Sequence, residues 1–413
     1  NTYMSPLNER DHSPFSLLPV LGAALFVVAV LLPARFTTVQ TQAFAEAQSQ
    51  AIYLPLTVSS GFGIIPVGQE FNIVTGISHA GDDRIFITEK GGRIRILHPD
   101  GRATTFIDLT SRVVSSDGEY GLYDIAFHPG YAAPGSPGRG FFYVFYTGRE
   151  GNDTYSYISR FRVSADPDAA DPTSETRLFR LRQTSIYHKG GGLEFDPRDA
   201  TLYAAVGDDR YAPNAQMLDT PKGKIIRLRV DNIPAAAVGD VSDQVEPELV
   251  ATGLRNPYRI DLDPQSNRLF IGDVGESTWE EINVVALGDT LPNLAWPCRE
   301  GPEPFALYQD HPECAGNKTF SDPATYLSHD DGRCAVIAGI FTRVEDSAGE
   351  FIYGDACSHE IFSMKSVGGI WSSNTLGKVP MGGLLTTIAE DVHGNLYIGS
   401  TRPNGPIYRL ILR

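Results

Sequence analysis

The sequence predicts an all-β fold, a six-bladed β-propeller, and two observations support this prediction. Six times along the chain a short apolar strand is followed by a turn and a second strand. The pattern repeats every 45 to 80 residues or so, roughly the spacing typical of propeller blades, since one small antiparallel sheet cannot bury its faces alone. Gly and Pro are also plentiful, whereas stretches rich in Ala, Leu and Lys, typical of helices, are scarce.

The six strand pairs follow one another over residues 84–412. They are Arg84 to Ile87 with Gly92 to Leu97, Phe141 to Tyr146 with Ile158 to Val163, Thr201 to Val206 with Gly223 to Val230, Arg268 to Ile271 with Glu281 to Val285, Glu350 to Tyr353 with Glu360 to Met364, and Asn395 to Ile398 with Ile407 to Leu412. Radial repetition lets one domain grow past the usual limit of a single core. We therefore assign residues 61–413 to the propeller.

An uncharged, mostly apolar run precedes the propeller. It spans residues 15–34, and about 20 residues at 1.5 Å per residue are long enough to cross the hydrocarbon core of a bilayer. The run is either a membrane anchor or a long signal peptide, and the small-residue pattern Ala43-Phe44-Ala45 favours the second. Its length favours a single transmembrane anchor, which we expect, with residues 1–14 as a flank and residues 35–60 as a tether.

The charge of the chain excludes two classes of partner. The sequence has 50 acidic and 34 basic residues, for a formal net charge of −16, and the acids are spread along the chain. Phosphate backbones and anionic lipid surfaces are bound by clustered Lys and Arg. We therefore expect neither nucleic acid nor an anionic lipid surface to be a partner.

Four cysteines lie in the last third of the chain: Cys298, Cys314, Cys334 and Cys357. They lack the Cys-x-x-Cys pairs of zinc sites, and an even number after a translocation signal predicts two disulfides. Three connectivities exist, and we favour Cys298 with Cys314 and Cys334 with Cys357. The alternatives are a structural metal or four free thiols. Oxidised cysteines would place the propeller on the extracytoplasmic side, in the periplasm or outside the cell.

Several motifs occur in a fixed order after Gly61. The longest are Glu119 to Pro129 (EYGLYDIAFHP), His188 to Phe195 (HKGGGLEF), Gly253 to Pro257 (GLRNP) and Gly272 to Asn283 (GDVGESTWEEIN). Shorter ones are Asn214-Ala-Gln216, Gly223 to Arg227, Trp296-Pro297, Glu300-Gly301 and Tyr353 to Ser358. Together they resemble the glucose/sorbosone dehydrogenase family. That family contains soluble sugar dehydrogenases that use pyrroloquinoline quinone (PQQ), and also propellers of hedgehog-interacting type.

The resemblance implies roles for five residues. Oxidising a sugar hydroxyl moves a hydride to a quinone, so a base must take the hydroxyl proton and a cation must stabilise the charge on the quinone oxygen. His188 resembles the family's base, and an imidazole suits that task near neutral pH. Arg255 resembles the arginine that polarises the quinone, with Asn256 as a positioning donor. The resemblance also implies a Ca²⁺ ion that bridges the cofactor to the main-chain carbonyls of Gly275 and Glu276.

The chain departs from the family pattern at three places around the implied cofactor. Two of these places are Glu119 and Tyr187, which we expect to contact the cofactor. Glu119 stands where the family has Gln, and Tyr187 stands where it has Asp. The arginine pair that grips the carboxylates of the cofactor has no counterpart in Leu384 to Ile388. PQQ is a tricarboxylate, and each lost charge-assisted pair is worth about 1.5 to 3 kcal/mol. Three other basic residues are potential substitutes: Lys365, Lys378 and Arg402.

The same residues have interpretations that need no cofactor. His188 could cap a loop through bonds to the backbone, and Arg255 could bind carbonyls of neighbouring blades. Asp208 and Asp209 could bind Ca²⁺, but Gly-Asp-Asp after a strand is more typical of a solvated turn. The remaining candidates are interpreted as ion pairs, packing residues or scattered histidines: Glu280, Glu281, Trp279, Trp296, His128, His311, His329 and His359.

Two functions are consistent with these residues. The first is a membrane-anchored, PQQ-dependent sugar or alcohol dehydrogenase on the extracytoplasmic face, which passes electrons towards a respiratory chain. The second is a propeller without catalytic activity that serves as an accessory subunit of a membrane complex. The redox chemistry of the family suggests that this complex transfers electrons. The missing arginine pair favours the second function, whereas His188, Arg255 and Asn256 favour the first.

Overall fold

The computed structural model describes residues 62–316, 318–342 and 349–412 of the chain. The expected flank at residues 1–14, anchor at residues 15–34 and tether at residues 35–60 lie outside the described residues. Within the described ranges, no helix has the length and apolar character needed to cross a membrane.

Strands dominate the described residues, and they are named here in chain order. They are β1 (Phe62–Phe71), β2 (Val74–His79), β3 (Ile85–Glu89), β4 (Arg93–Leu97), β5 (Ala103–Asp108), β6 (Leu122–Phe127), β7 (Phe141–Glu150), β8 (Asp153–Val163), β9 (Ala170–Gln183), β10 (Gly190–Phe195), β11 (Thr201–Val206), β12 (Lys224–Arg229), β13 (Gly239–Asp240), β14 (Glu248–Thr252), β15 (Pro257–Asp263), β16 (Arg268–Asp273), β17 (Trp279–Ala286), β18 (Arg299–Glu300), β19 (Glu303–Pro304), β20 (Thr325–Ser328), β21 (Val336–Phe341), β22 (Phe351–Asp355), β23 (Glu360–Val367), β24 (Ile370–Lys378), β25 (Leu385–Glu390), β26 (Leu396–Ser400) and β27 (Gly405–Leu412). Short 3₁₀ helices lie at Ala212–Gln216, Val230–Asn232, Ser242–Gln244, Ala306–Tyr308, Pro312–Cys314 and Asp330–Gly332.

The strands form six blades, which confirms the predicted all-β six-bladed propeller. Blade 1 has the order β2-β3-β4-β5, blade 2 β6-β7-β8-β9, blade 3 β10-β11-β12-β14, blade 4 β15-β16-β17-β20, blade 5 β21-β22-β23-β24, and blade 6 β25-β26-β27-β1. Strand β13 adds a short parallel edge to β9 in blade 2. Strands β18 and β19 form a separate hairpin.

The ring is closed by strands from opposite ends of the propeller. Strand β1 pairs antiparallel with β27, and Phe62 lies opposite Leu412. Blade 6 therefore combines the first strand of the propeller with its last three. The innermost strands β2, β6, β10, β15, β21 and β25 pack side by side around the axis, each against the next.

Each predicted strand pair is the middle pair of one blade. Every residue of β3, β11 and β22 is buried, because both faces of a blade are covered by its neighbours. A short continuous apolar run is what such a strand requires. Between blades 2 and 3, for example, Tyr143 and Phe145 pack in one cluster with Leu193 and Leu202.

A buried arginine crosses the axis of the propeller. The innermost strands enclose a channel of about 330 Å³. Arg259 on β15 binds the carboxylate of Asp124 at 3.0 Å and the carbonyl of Tyr123 at 2.9 Å. Its guanidinium also donates to the carbonyls of Thr75 and Thr386, on the innermost strands of blades 1 and 6. One side chain therefore ties four blades together.

The four cysteines form the two disulfides that we favoured. Cys298 pairs with Cys314 and Cys334 with Cys357, with Cα–Cα distances of 5.3 and 5.6 Å. The first bond closes the segment between β17 and β20, and the second joins the residues flanking β21 and β22 in blade 5. The alternatives of a structural metal or four free thiols at these positions are therefore wrong.

Candidate active site

The candidate residues lie on loops at one end of the propeller. In an antiparallel blade the start of the first strand lies beside the end of the second. Gly190 at the start of β10 accordingly faces Val206 at the end of β11, and Pro257 faces Asp273 in the same way. This arrangement brings the residues before β10 and β15 close to those after β11 and β16.

His188 and Asp208 form a buried pair at this end. Nδ1 of His188 lies 2.7 Å from Oδ1 of Asp208, and the two side chains are 9% and 1% exposed. The carboxylate accepts further hydrogen bonds from Nε1 of Trp296 at 2.9 Å and from the amide of Arg210 at 2.7 Å. A carboxylate accepts, so the pair holds the proton on Nδ1 and leaves the lone pair of Nε2 for a ligand.

Two cofactor-free interpretations are wrong at this pair. The Asp208 and Asp209 turn is not solvated, since the two residues are 1% and 2% exposed. The side chain of His188 binds a carboxylate and not the backbone. A hydrogen-bonded His–carboxylate pair with one free ring nitrogen can act as a general base.

Close packing of the backbone requires glycine at two positions near His188, Gly190 and Gly207. His188 itself has φ 58°, and Gly190 follows with φ 71°. A Cβ on Gly190 would lie 2.3 Å from the carbonyl of Ala205, and one on Gly207 would lie 2.2 Å from the carbonyl of His188. Glycine at these positions lets the loop fold tightly against β11.

Asp209 binds two lysines beside the pair of His188 and Asp208. Its carboxylate binds Nζ of the fully buried Lys189 at 2.5 Å and Nζ of Lys222 at 2.6 Å. Burial alone would raise the pKa of Asp209, but the charge of Lys189 and the hydrogen bonds from Lys189, Lys222 and Thr184 lower this pKa to about 2. Both lysines therefore bind one carboxylate of the protein, which offsets one of their two positive charges.

Arg255 is held from three sides. Its guanidinium forms an ion pair with Glu276, with Nε at 2.9 Å from the carboxylate, and donates from Nη1 to the carbonyl of Val274 at 3.0 Å. Its backbone amide donates to Asp273. Burial, followed by the neighbouring Glu281 carboxylate, raises the pKa of Asp273.

The contacts of the Arg255 guanidinium with Glu276 and Val274 use three of its five N–H bonds.

Asn256 joins Glu119 to the loop of His188. Its Nδ2 lies 3.2 Å from Glu119, and its Oδ1 accepts the amide of Gly190 at 2.9 Å. Glu119 also accepts the amide of Lys189 at 3.1 Å. The amide predicted to position a cofactor is thus engaged by a carboxylate of the protein.

Glu300 and Glu280 shape the loop that carries Glu276. Glu300 accepts the amides of Glu276 at 2.8 Å, Ser277 at 2.6 Å and Thr278 at 2.9 Å. Glu280 lies 2.6 Å from the imidazole of His329. This contact agrees with the interpretation of Glu280 as a member of an ion pair, which needs no metal. Sequence reasoning missed the role of Glu300, although its position in the Glu300-Gly301 motif was a signal.

Aromatic residues within and just before the segment closed by Cys298–Cys314 line one side of the site. Trp296 packs on Phe305 with ring centroids 5.1 Å apart, and Phe305 stacks on Tyr308 at 6.1 Å. Tyr187 and Tyr211 are 40% and 56% exposed. Trp279 packs against Tyr326. Both tryptophans are therefore packing residues, as predicted, and Trp296 in addition binds Asp208.

The remaining histidines do not share a site. Their polar partners are Asp231 for His128, the amide of Glu313 for His311, Glu280 for His329 and the carbonyl of Gly383 for His359.

The residues at this end do not fit a tricarboxylate quinone. In the segment Leu384 to Ile388, Leu385 and Ile388 are buried in the core and the hydroxyl of Thr386 binds the carbonyl of Val74. Of the proposed substitutes, Lys365 lies within β23 and Lys378 on the outermost strand β24, both away from the axis. Arg402 lies against Gly382 and Gly383, just before β25. One exposed cation cannot replace a pair of arginines.

The calcium position is incomplete without a cofactor. Among the described residues, no donor binds the carbonyl oxygens of Gly275 and Glu276, and no group of three or more His, Cys, Asp or Glu side chains could hold a metal. Ca²⁺ takes six to eight oxygen ligands, roughly three times what two carbonyls supply. A calcium ion here would depend on ligands from elsewhere.

Known proteins resemble this chain over most of the propeller. The HIPL1 protein of Arabidopsis thaliana is 29% identical, over 63% of this chain and 46% of its own length. The human Hedgehog-interacting protein is 29% identical, over 45% of this chain and 30% of its own length. The chain thus spans less than half of each of these two relatives.

A solved structure and a family model agree with the fold. The soluble aldose sugar dehydrogenase of Escherichia coli, in its apo-form, has a TM-score of 0.67 and 20% identity, covering 85% of this chain and all of that one. The family model described as glucose/sorbosone dehydrogenase matches residues 71–409. The chain belongs to the glucose/sorbosone dehydrogenase family.

Proposed function

We propose that this propeller is a dehydrogenase that oxidises a hydroxyl group of a sugar or a related alcohol. The observation that carries the proposal is the buried pair of His188 and Asp208, 2.7 Å apart, with Nε2 of the imidazole left for a ligand. A hydroxyl must lose its proton as its carbon loses a hydride, so such a reaction needs a base at this place.

Each residue of the site has a role in this reaction. Nε2 of His188 takes the hydroxyl proton, and the carboxylate of Asp208 stabilises the imidazolium that forms. Trp296 and the amide of Arg210 hold Asp208 in place. The two N–H bonds of Arg255 that its described contacts leave unused can donate to an electron acceptor. The hydride leaves the substrate carbon for that acceptor.

The proposal includes a place for the enzyme. The two disulfides support an extracytoplasmic propeller, because such bonds persist in oxidising compartments. Residues 15–34 would anchor it to the membrane, and the electrons would pass from the acceptor to other components of that membrane. Of these expectations, the use of PQQ as the electron acceptor has the least support from the geometry of the site.

A second candidate is a propeller without catalysis that serves as an accessory subunit of a membrane complex, for example one that transfers electrons. One observation favours it: the site lacks a set of cations for three carboxylates, because Leu385 and Ile388 are buried in the core and Thr386 binds the carbonyl of Val74. The human Hedgehog-interacting protein, whose name describes binding, is among the relatives.

Turnover by the full chain tests the proposal. A panel of aldoses and alcohols is offered with artificial electron acceptors, and His188→Ala is compared with the unchanged protein. Loss of a general base costs about 100-fold or more in rate, so the variant should lose turnover while its circular dichroism stays unchanged.

The matched control is His393→Ala, because His393 is 65% exposed and binds Asp83. It should leave turnover unchanged. Equal rates for His188→Ala and the unchanged protein would refute the role of His188. A folded protein that oxidises no substrate with any acceptor would favour the accessory subunit.

A further inference from the structure

We infer that Glu119 makes this site select an uncharged quinone as its electron acceptor and reject a polycarboxylate one. The inference rests on the proposed dehydrogenase function. The chemical class we assign to the acceptor is a neutral benzoquinone, whose two ring oxygens accept hydrogen bonds and which carries no carboxylate.

Glu119 contacts the residue that follows each of the two candidate reactive groups. Its carboxylate accepts the amide of Lys189, the residue after His188, at 3.1 Å, and Nδ2 of Asn256, the residue after Arg255, at 3.2 Å. The carboxylate is therefore bound to both loops that carry these groups, and a ligand that contacts both loops would lie near it. A carboxylate on the ligand would meet a like charge there, and like charges a few ångströms apart near a protein surface repel strongly.

The described ion pairs use most of the positive charge of the site. Lys189 and Lys222 are bound by Asp209, and the guanidinium of Arg255 is paired with Glu276. Asp209 offsets one of the two lysine charges and Glu119 the other, and Arg210 is a cation without a described ion pair. Two of the five guanidinium N–H bonds of Arg255 have no partner among its described contacts. Those bonds can donate to the carbonyl oxygen of a neutral ligand, whereas the charge that a ligand carboxylate would pair with is already used by Glu276.

Blade 6 contributes little charge at this end. Leu385 and Ile388 are 1% and 3% exposed, so their side chains face the core and not a ligand. Arg402 lies beside Gly382 and Gly383, and it is one cation against the three carboxylates of PQQ.

The exposed surface nearby is aromatic. Tyr187 directly precedes His188, Tyr211 follows closely on Asp208, and these rings are 40% and 56% exposed. The guanidinium of Arg210 lies 5.3 Å from the ring of Tyr187. Such rings hold a flat neutral molecule by stacking, which needs no charge on the ligand.

The reaction balances with this acceptor. The hydroxyl proton of the substrate goes to Nε2 of His188, and the hydride goes from the substrate carbon to the benzoquinone. The substrate becomes a carbonyl compound or lactone, and the benzoquinone takes up one further proton to become the hydroquinone. Two electrons leave the substrate and two enter the quinone.

The test measures binding without turnover. The full chain, loaded with Ca²⁺, is titrated with PQQ and separately with 2,3-dimethoxy-5-methyl-1,4-benzoquinone by equilibrium dialysis. We expect saturable binding of the benzoquinone and none of PQQ at micromolar concentration. In Glu119→Gln, whose amide oxygen can still accept both hydrogen bonds, affinity for PQQ should rise about tenfold or more while affinity for the benzoquinone stays the same.

Glu70→Gln is the matched control, because it removes the same charge from an exposed position on β1. It should change neither affinity. Tight PQQ binding by the unchanged protein, equal effects of Glu119→Gln on both quinones, or no saturable benzoquinone binding would each overturn the inference.

Turnover then separates this inference from the proposed function. Benzoquinone binding without oxidation of any alcohol would contradict the dehydrogenase and leave the selectivity of Glu119 in place. Turnover with tightly bound PQQ that depends on His188 would support the dehydrogenase and refute the selectivity.

Discussion

The indole Nε1 of Trp296 lies 2.9 Å from Oδ2 of Asp208, the carboxylate whose other oxygen binds His188. Trp296 belongs to blade 4 and Asp208 to blade 3, and they are 88 residues apart in sequence. Trp296 also lies two residues before Cys298, where the segment closed by the Cys298–Cys314 bond begins. The orientation of the candidate base is therefore linked to a disulfide-closed segment of the neighbouring blade.

Replacing Trp296 by Phe should lower kcat about tenfold with little change in KM, because the ring still packs but one donor to Asp208 is lost. The proton of His188 should also be held less firmly on Nδ1, which the ¹⁵N chemical shifts of the imidazole report. Trp371→Phe, which alters a tryptophan packed on Phe270, is the control. Unchanged kcat and unchanged imidazole shifts would refute the link.

Removing the Cys298–Cys314 bond by a double Ser substitution should lower the free energy of unfolding by about 3 kcal/mol, since it closes a loop of 16 residues. The control is the same change at Cys334 and Cys357, 23 residues apart, which should cost a similar amount. Urea unfolding measures both losses. The first pair alone should also lower turnover; equal turnover in the two variants would contradict the link to Asp208.

Replacing Arg259 by Met should lower the free energy of unfolding by about 3 to 5 kcal/mol, because it leaves the carboxylate of Asp124 buried without its partner. Burial already raises the pKa of Asp124. Adding Asp124→Leu should recover most of the loss. Arg93→Met is the control, since Arg93 and Asp108 are 51% and 45% exposed, and it should cost less than about 1 kcal/mol. Equal losses in urea unfolding would contradict the axial role.

Glu281→Gln should change how stability depends on pH. Burial raises the pKa of Glu281 from 4.5 to about 7. The folded protein therefore keeps a proton that the unfolded chain releases, and stability falls as pH rises from about 4.5 to about 7. This loss is roughly 3 kcal/mol at one pKa unit per 1.36 kcal/mol, and the variant should not show it.

Urea unfolding at pH 5 and pH 8 measures this difference. Glu303→Gln, at an exposed position, is the control and should follow the unchanged protein. Asp273 changes in the same direction and remains in every variant. Parallel pH curves for Glu281→Gln and the unchanged protein would show that the carboxyl is ionised in the fold.

The middle strands of the blades could be predicted because burial on both faces requires a continuous apolar sequence, which is easy to recognise. The innermost and outermost strands could not. Strand β10 begins with three glycines, and β25 carries two threonines whose neighbours are other blades. Strand β24 is largely exposed and polar. A strand that lines a channel or meets solvent has no apolar pattern to detect.

The candidate site was predicted only in part, because its decisive contacts join distant parts of the chain. The resemblance singled out His188, Arg255 and Asn256, and the roles it implies for them remain predictions. The contact of Glu119 with Asn256 spans 137 residues, and sequence periodicity carries no signal for packing between blades. For the same reason the sequence predicts a solvated turn at Asp208 and Asp209, which the structure shows to be buried.

Strand β1 leaves the ribosome before any other described strand of the propeller, yet its partner β27 is made last. The contact between Phe62 and Leu412 closes a separation of 350 residues (412 − 62). At roughly 5 to 20 residues per second, translation needs about 20 to 70 s to provide that partner. Throughout this time the edge of β1 is unpaired, and an unpaired edge invites aggregation. The most vulnerable period of this ring is therefore its own synthesis.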